Sequence, residues 1–186
     1  MMRLWERALR RAGLPLRMSE GFNPRPRMSL VEPRSVGMAS EAEILEFELA
    51  DWVNPDAVWA GVSRQVPAGI EISSLDLIRP ADKARPQGVV YVARLSAAAD
   101  PDLPERAARL MARSEALVVR HRPTGDKPLD ARPFIESLEA GPQEVRLVTR
   151  TGPGGTVRPD EVLRLLGLSP EAIARADIRR TEIRLG

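Results

Sequence analysis

The sequence predicts an α+β protein made of two domains, and three observations support that prediction. Hydrophobic residues recur with helical spacing in some stretches and alternate with polar residues in others, as amphipathic helices and half-buried strands require. A Pro- and Gly-rich linker, residues 80–88, separates domains predicted over residues 1–79 and 89–186. Both halves have a similar order of helices and strands, and each has a length that suits one small domain.

The first half begins with an amphipathic helix that carries arginines on its exposed face. Its apolar residues share one side of a helical wheel, and Gly13 is expected to end the helix. The apolar face comprises Leu4, Trp5, Ala8, Leu9 and Ala12, and the opposite face comprises Arg3, Arg7, Arg10 and Arg11.

Strands follow this helix, with a second helix between them. A short strand is expected from Met28, and the alternation of Leu45, Phe47 and Leu49 with glutamates predicts a strand with one wet face. Asn54 stands before a proline and is a typical N-cap residue for the second helix. We expect that helix to bury Val58, Trp59, Val62 and Val66, with Trp59 fully buried against Leu45, and residues 70–78 to form a strand.

The second half is predicted to have the order β-α-β-β-α-β, which is the ferredoxin-like arrangement. The predicted elements are strand 89–95, helix 101–113, strand 116–122, an insertion at 123–142, strand 144–150, helix 159–166, a short helix after Ser169 and strand 178–185. The first half has the same order without its first strand. The sequence therefore predicts two tandem ferredoxin-like domains, and a strand is expected upstream of Met1.

The composition excludes several classes of function and predicts a cytoplasmic protein. Without cysteine, this chain holds neither an iron–sulfur cluster nor a thiolate zinc site. No apolar run approaches the roughly 20 residues that span a bilayer, and charges interrupt the first residues too often for a signal peptide. We expect no cofactor, no metal and no membrane contact; a divalent ion at Glu41 and Glu43 is the less favoured alternative.

Charge is distributed unevenly along the chain. Residues 1–37 contain eight arginines and three glutamates, a net charge of +5. Residues 38–82 contain nine acidic residues and two arginines, a net charge of −7. This segregation predicts a dipolar first domain with one side that attracts anions.

The Arg-rich loop over residues 17–37 is the most informative stretch. Its sequence, RMSEGFNPRPRMSLVEPRSVG, places Arg25 and Arg27 next to prolines, which favour extended backbone in the residues before them. We expect Phe22 to insert into the edge of the core and anchor the loop, and Asn23 to turn the backbone locally. A stiff basic loop beside a basic helix predicts a surface for phosphate groups. A proline-rich connector with solvated arginines is the alternative.

Two stretches of the second half also bear on function. The Gly-rich segment 151–159, TGPGGTVRP, precedes a predicted helix, as phosphate-binding turns do, so Arg158 is counted among the predicted anion-binding residues. The segment lacks the G-K-[ST] ending of a P-loop, and a flexible hairpin loop is the alternative. His121 is the only histidine and lies between Arg120 and Arg122 without an evident catalytic partner. No catalytic residue is therefore predicted.

The N-terminal sequence resembles a bacterial family known as the radical SAM-linked, or radical SAM-associated, domain. The resemblance rests on Arg3 to Pro15, on the S-x-G-F-N-P-x-P motif from Ser19 to Pro26, and on Gly37 with Ser40 to Glu43. It continues more weakly through PLDARPFIESL and TVRPDEVL. Members of that family usually begin with a strand and a Ser-His-x-Asp segment, which this sequence lacks.

The resemblance implies partnership with radical SAM chemistry on RNA or ribosome-related substrates, because in many bacteria the domain is fused to, or encoded beside, a radical SAM protein. We therefore expect a non-enzymatic recognition module that binds RNA. The predicted contacts are Arg3, Arg7, Arg10, Arg11, Ser19, Phe22, Asn23, Arg25, Arg27 and Arg158. A protein–protein adaptor that docks on the radical SAM partner is one alternative. A metal-independent endoribonuclease, by analogy with tandem ferredoxin-like RNA-processing enzymes, is a weaker one.

Overall fold

By its internal contacts the chain divides into two units. Unit 1 contains Met1–Pro33 and Ile44–Ala84, and unit 2 contains Arg34–Glu43 and Arg85–Gly186. The computed structural model describes residues 1–33, Ser35, 37–96, 100–121, Pro123, 125–152 and 154–186. These residues form an α+β fold with five α-helices and several sheets. No helix among them is long and apolar enough to cross a membrane.

Helices and strands are numbered in chain order. They are α1 (Met2–Arg11), β1 (Met28–Val31), β2 (Ala39–Ser40), β3 (Ile44–Phe47), α2 (Pro55–Ser63), β4 (Pro86–Arg94), α3 (Leu103–Ala112), β5 (Leu117–Arg120), β6 (Lys127–Asp130), β7 (Ile135–Ala140), β8 (Glu144–Arg150), α4 (Pro159–Leu165), α5 (Pro170–Arg175) and β9 (Asp177–Leu185). Short 3-10 turns lie at Pro80–Asp82 and Arg132–Phe134.

Unit 1 packs α1 and α2 with the antiparallel pair β1–β3. Its core consists of Trp5, Ala8, Leu9, Val58 and Val62, so the predicted apolar face of the first helix is confirmed. The strand side chains Leu30, Leu45 and Phe47 pack against that core. Gly13 has φ of 70° directly after α1, a left-handed conformation that glycine adopts at low cost.

The second helix of unit 1 begins as the sequence predicts. Asn54 caps α2, because its side-chain oxygen accepts a hydrogen bond from the Asp56 N–H at 2.8 Å. This bond satisfies one of the backbone donors that a helix leaves free at its start.

Two predictions for unit 1 are wrong. Residues 70–78, all of them described, form no strand; Ile70 and Ile72 pack against the core, whereas Leu77 is largely exposed. Trp59 is 36% exposed and lies outside the core cluster. Within α2 only Val58 and Val62 are buried; Val66 lies beyond the end of the helix and packs against the core as a partly buried residue.

Unit 2 contains a five-stranded sheet in the order β2-β9-β4-β8-β7. Every neighbouring pair is antiparallel except β2 and β9. Helices α3 and α4 share one core with the sheet, and the buried members from these three parts include Leu103, Ala107, Leu110, Val162, Leu163, Ala93, Val145 and Leu147. Strand β4, which begins inside the predicted linker, lies at the centre of the sheet.

The strand predicted at 116–122 is present as β5, but it does not join the five-stranded sheet. In the described part of the chain β5 pairs with β6 in a separate two-stranded sheet. The strand beside β8 is β7, which comes from within the predicted insertion 123–142. The predicted strand end, Arg122, lies outside the described residues. A bulge between Ile135 and Ser137 breaks the alternation of β7, so its buried residues, Ile135 and Leu138, are three positions apart.

A buried arginine joins β2 to β9. Arg180 is fully buried; its guanidinium lies 2.6 Å from the Glu43 carboxylate, and its Nε donates to Ser40 Oγ at 3.1 Å. Two residues of the motif from Ser40 to Glu43 thus bind the buried guanidinium of Arg180 within unit 2. Glu41 pairs with Arg179 at 2.9 Å, so both glutamates considered as metal ligands face arginines.

The two apolar residues Leu9 and Trp59 should differ sharply in their contribution to stability. Leu9→Ala removes a fully buried side chain and should lower the free energy of unfolding by about 3 kcal/mol or more. Trp59→Ala should lower it by less than about 2 kcal/mol, because part of the ring is already in water. Urea denaturation of both variants measures the difference, and a larger loss for Trp59→Ala would contradict the observed core.

Candidate nucleic-acid interface

Three backbone segments of unit 1 meet at Glu48, and we call the contact among Arg17, Arg27 and Glu48 the Glu48 junction. The Arg17 N–H donates to the Glu48 carbonyl at 2.8 Å, the Glu48 N–H to the Arg27 carbonyl at 2.9 Å, and the Arg27 N–H to the Arg17 carbonyl at 2.8 Å. The Glu48 carboxylate also lies 3.8 Å from Arg17, 3.6 Å from Arg27 and 3.4 Å from Lys83. The junction therefore extends the β1–β3 pairing and fixes Arg17 and Arg27 of the Arg-rich loop to each other.

Beyond the junction, residues 19–25 form a short closed loop, which we call the tip loop. The Ser19 N–H donates to the Arg25 carbonyl at 2.7 Å, and the Arg25 N–H donates to Ser19 Oγ at 3.0 Å. Ser19, predicted as a binding residue, thus closes the loop at its base.

Proline fits this ladder because of its position. Pro26 faces Met18 in an antiparallel bridge, between the hydrogen bonds of Ser19 with Arg25 and of Arg17 with Arg27. This is a non-hydrogen-bonded position of the ladder, so the missing N–H of proline leaves no acceptor unpaired. Pro26 is buried, whereas the arginines on either side of it are exposed.

The tip loop and α1 line one open cleft of about 460 Å³. Its lining residues are Arg3, Glu6, Asn23, Pro24 and Arg25. Neither Arg3 nor Arg25 has a carboxylate partner in the part of the chain that the structure describes, whereas Glu6 pairs with Arg10 at 3.2 Å. The cleft therefore presents two unneutralised guanidinium groups from two different elements.

The other predicted arginines of unit 1 are held by contacts within the chain. Arg7 Nε donates to the Arg3 carbonyl at 3.2 Å, and Arg11 donates to the Gln65 carbonyl at 3.3 Å. Arg10 and Arg27 pair with Glu6 and Glu48. Of the predicted contacts, the structure thus brings Arg3, Asn23 and Arg25 together; Glu6 and Glu48 are the neighbours that the sequence did not single out.

The prediction for Phe22 is wrong. Its side chain is fully exposed at the tip loop and does not enter the core. The loop is held by the hydrogen bonds of the Glu48 junction and of Ser19 instead of by the ring. Gly21, directly before Phe22, has φ of 120°, which only glycine adopts readily and which turns the backbone ahead of the ring.

Arg158 belongs to unit 2, where the Gly-rich segment forms a tight turn. The N–H groups of Gly152 and Gly155 donate to each other's carbonyls at 3.0 and 2.9 Å. A Cβ on Gly154 would lie 3.1 Å from the Phe134 ring, so close packing explains this glycine. Pro153 lies outside the described residues. The Arg158 N–H donates to the Glu161 carboxylate at 2.8 Å. This N–H is therefore already hydrogen-bonded, in the capping interaction at the start of α4.

An ion pair between the partly buried Arg120 and the buried Glu161 holds this end of α4, and its only sign in the sequence is the presence of two opposite charges. Arg120 Nε and a terminal guanidinium nitrogen donate to the two Glu161 oxygens at 2.7 and 2.8 Å, and the guanidinium also reaches the Thr156 carbonyl at 2.6 Å. Burial alone would raise the pKa of Glu161, but hydrogen bonds from Arg120 and the Arg158 backbone outweigh it and hold the pKa below its ordinary value.

His121 has one close partner. Its Nδ1 lies 2.7 Å from Asp126 Oδ1, and both side chains are mostly exposed. A carboxylate in this position orients an imidazole. Among the described residues no three His, Asp or Glu side chains lie where they could hold a metal ion.

Residues 1–159 match a family described as an uncharacterized protein conserved in bacteria (DUF2344). The match covers most of the 186 residues, so the chain belongs to this family. Comparisons with curated proteins and with solved structures give no match.

The Arg120–Glu161 pair should contribute strongly to the stability of unit 2. Glu161→Gln removes the buried counter-charge of the partly buried Arg120 and should lower the free energy of unfolding by about 3 kcal/mol. As a matched control, Glu144→Gln removes the exposed partner of Arg94 and should cost less than about 1 kcal/mol. Chemical denaturation measures both, and equal small losses would mean that the buried pair contributes little.

The same pair should give stability a defined pH dependence. Because the folded-state pKa of Glu161 lies below its ordinary value of 4.5, its stabilisation is present above that pH and is lost as the pH falls through the depressed pKa. The difference in unfolding free energy between the wild type and Glu161→Gln should therefore stay constant from neutral pH to about 5 and shrink in more acidic solution. A difference that grows on acidification would contradict the assignment.

Proposed function

We propose that this member of the bacterial family is a non-enzymatic recognition module that binds RNA through unit 1 and works with a radical SAM partner. The observation that carries the proposal is the cleft between α1 and the tip loop. It is lined by Arg3 and Arg25, which have no carboxylate partner among the described residues, and by the Asn23 amide.

The chemistry of the cleft suits a phosphate backbone. Guanidinium groups bind phosphate oxygens through two parallel hydrogen bonds, and an arginine already paired with a carboxylate is less available for this. Arg27 is such a case, because it contacts Glu48. The two cleft arginines come from separate elements, so adjacent phosphates of one strand could be held at the same time.

The radical SAM partnership and the cellular setting are parts of this proposal. They rest on the resemblance of the N-terminal motifs, which lie in α1 and the tip loop, to the radical SAM-linked domain. The proposal places the chain in the cytoplasm, where RNA and such a partner would meet it.

We also propose that the domains derive from a ferredoxin-like arrangement. In unit 2 the order β9-β4-β8-β7 of antiparallel strands supports it, with α3 and α4 as the two helices of a β-α-β-β-α-β unit. The hairpin β5–β6 would then be an insertion between α3 and β7. For unit 1 the support is the order α1, β1, β3, α2.

The endoribonuclease alternative has one observation in its favour, the contact between His121 and Asp126. Incubation of labelled RNA with the wild type and with His121→Ala decides it. Cleavage that disappears in His121→Ala would replace the proposed function with an enzymatic one.

Reversal of the cleft charges should remove RNA binding without unfolding the protein. Arg3→Glu with Arg25→Glu should weaken binding of a single-stranded RNA by roughly 10-fold or more for each arginine. If each contacts one phosphate, the slope of log affinity against log salt should fall by about 1.4. Fluorescence anisotropy at several salt concentrations gives both quantities.

Arg64→Glu with Arg113→Glu is the matched control, because both are exposed arginines outside the cleft and the net charge changes equally. This control should retain the wild-type slope. Equal weakening in the two double variants would mean that binding depends on the net charge of the protein and not on the cleft. Absence of RNA binding by the wild type, together with co-purification of a radical SAM protein, would favour the adaptor alternative.

A further inference from the structure

A fully exposed aromatic residue, Phe22, is the sequence neighbour of a residue that lines the basic cleft. Phe22 is in the tip loop, one position before Asn23 and three before Arg25, and both of these residues line the cleft. Single exposed apolar residues are common on proteins, but this ring is on a loop whose base is closed by the hydrogen bonds between Ser19 and Arg25. Its position relative to the cleft is thus set by the backbone.

The fold of the loop does not use the ring. Phe22 has no place in the core of unit 1, and the Glu48 junction holds the ends of the loop through backbone hydrogen bonds. An aromatic side chain that adds nothing to packing is available for contact with a ligand.

Proteins that bind single-stranded nucleic acids combine aromatic side chains with basic ones. Their bases stack on aromatic side chains while the backbone follows a positively charged groove. In a duplex the base faces are already stacked on each other, so an exposed ring has no face to contact.

We infer that Phe22 stacks on an unpaired base of an RNA whose neighbouring phosphates lie in the cleft of Arg3 and Arg25. This inference rests on the proposed RNA binding, and it specifies the substrate class as single-stranded RNA. Asn23 lies between Phe22 and Arg25 in sequence and lines the cleft, where its amide can meet the edge of that base.

The test compares an unstructured single-stranded oligoribonucleotide with a duplex of the same length, using Phe22→Leu, Phe22→Trp and Arg25→Glu. Phe22→Leu keeps an apolar side chain but removes the ring; it should weaken single-strand binding by roughly 5- to 150-fold. Phe22→Trp should retain wild-type binding. The wild type should bind the duplex more weakly than the single strand, and Phe22→Leu should leave duplex binding unchanged.

A direct readout of stacking completes the test. A fluorescent base analogue in the single strand should be quenched on binding to the wild type and not on binding to Phe22→Leu. Because Phe22 is fully exposed, its variants should melt at the wild-type temperature, so loss of binding is not loss of folding.

The outcomes separate this inference from the proposed function. If Phe22→Leu binds the single strand as tightly as the wild type while Arg25→Glu does not, the stacking inference is overturned and the RNA-binding proposal stands. Equal affinity of the wild type for single strand and duplex also overturns the inference. If the wild type binds neither RNA, the proposed function itself fails.

Discussion

The basic cleft depends on one contact, the meeting of three backbone segments at Glu48. Arg17, Arg27 and Glu48 exchange hydrogen bonds in a closed cycle. Arg17 and Arg27 are thus fixed to each other and to the residue directly after β3, whose Leu45 packs against the core. The Glu48 carboxylate also faces three cations, which limits the repulsion between the arginine side chains. With the loop base fixed, the tip loop has a defined position beside α1.

In the described part of the chain, the arginines of unit 1 fall into those that pair with a carboxylate of the chain, as at Glu48, and those that do not. The first 37 residues carry a net charge of +5, but much of that charge is neutralised within the chain, since Arg17 and Arg27 face Glu48 and Arg10 faces Glu6. Among the other described arginines of this stretch, Arg7 and Arg11 donate to backbone carbonyls, and Arg3 and Arg25 line the cleft. Charge counted along a sequence therefore overestimates the charge that a ligand meets, because acidic residues distant in sequence can be adjacent in the fold.

Local patterns predicted the helices well and the strands less reliably. The face of α1 and the Asn54 cap follow from spacing and from backbone donors that are local in sequence. Residues 70–78 have the apolar residues of a strand, but a strand also needs a pairing partner, which no local pattern reveals. Strand β7 was missed because its bulge places Ile135 and Leu138 on one face at a spacing of three. Within the candidate site, Arg3 and Arg25 were grouped by composition, and both line one cleft. The exposure of Phe22 depends on the path of the loop that Ser19 closes, which composition does not reveal.

Buried and exposed side chains alternate over residues 25–27, at the base of the tip loop. Pro26 faces inward and is buried, and Arg25 and Arg27 face outward; Arg27 is then held by Glu48, which leaves Arg25 as the outward charge without a carboxylate partner in the described chain. Phe22, further along the same loop, is also outside the packed interior. Surface residues of this kind usually change the free energy of unfolding by no more than about 0.5 kcal/mol when substituted. The exposed ring of Phe22 and the Arg25 guanidinium therefore lie outside the packing that holds the tip loop, as the proposed contact with an RNA strand requires.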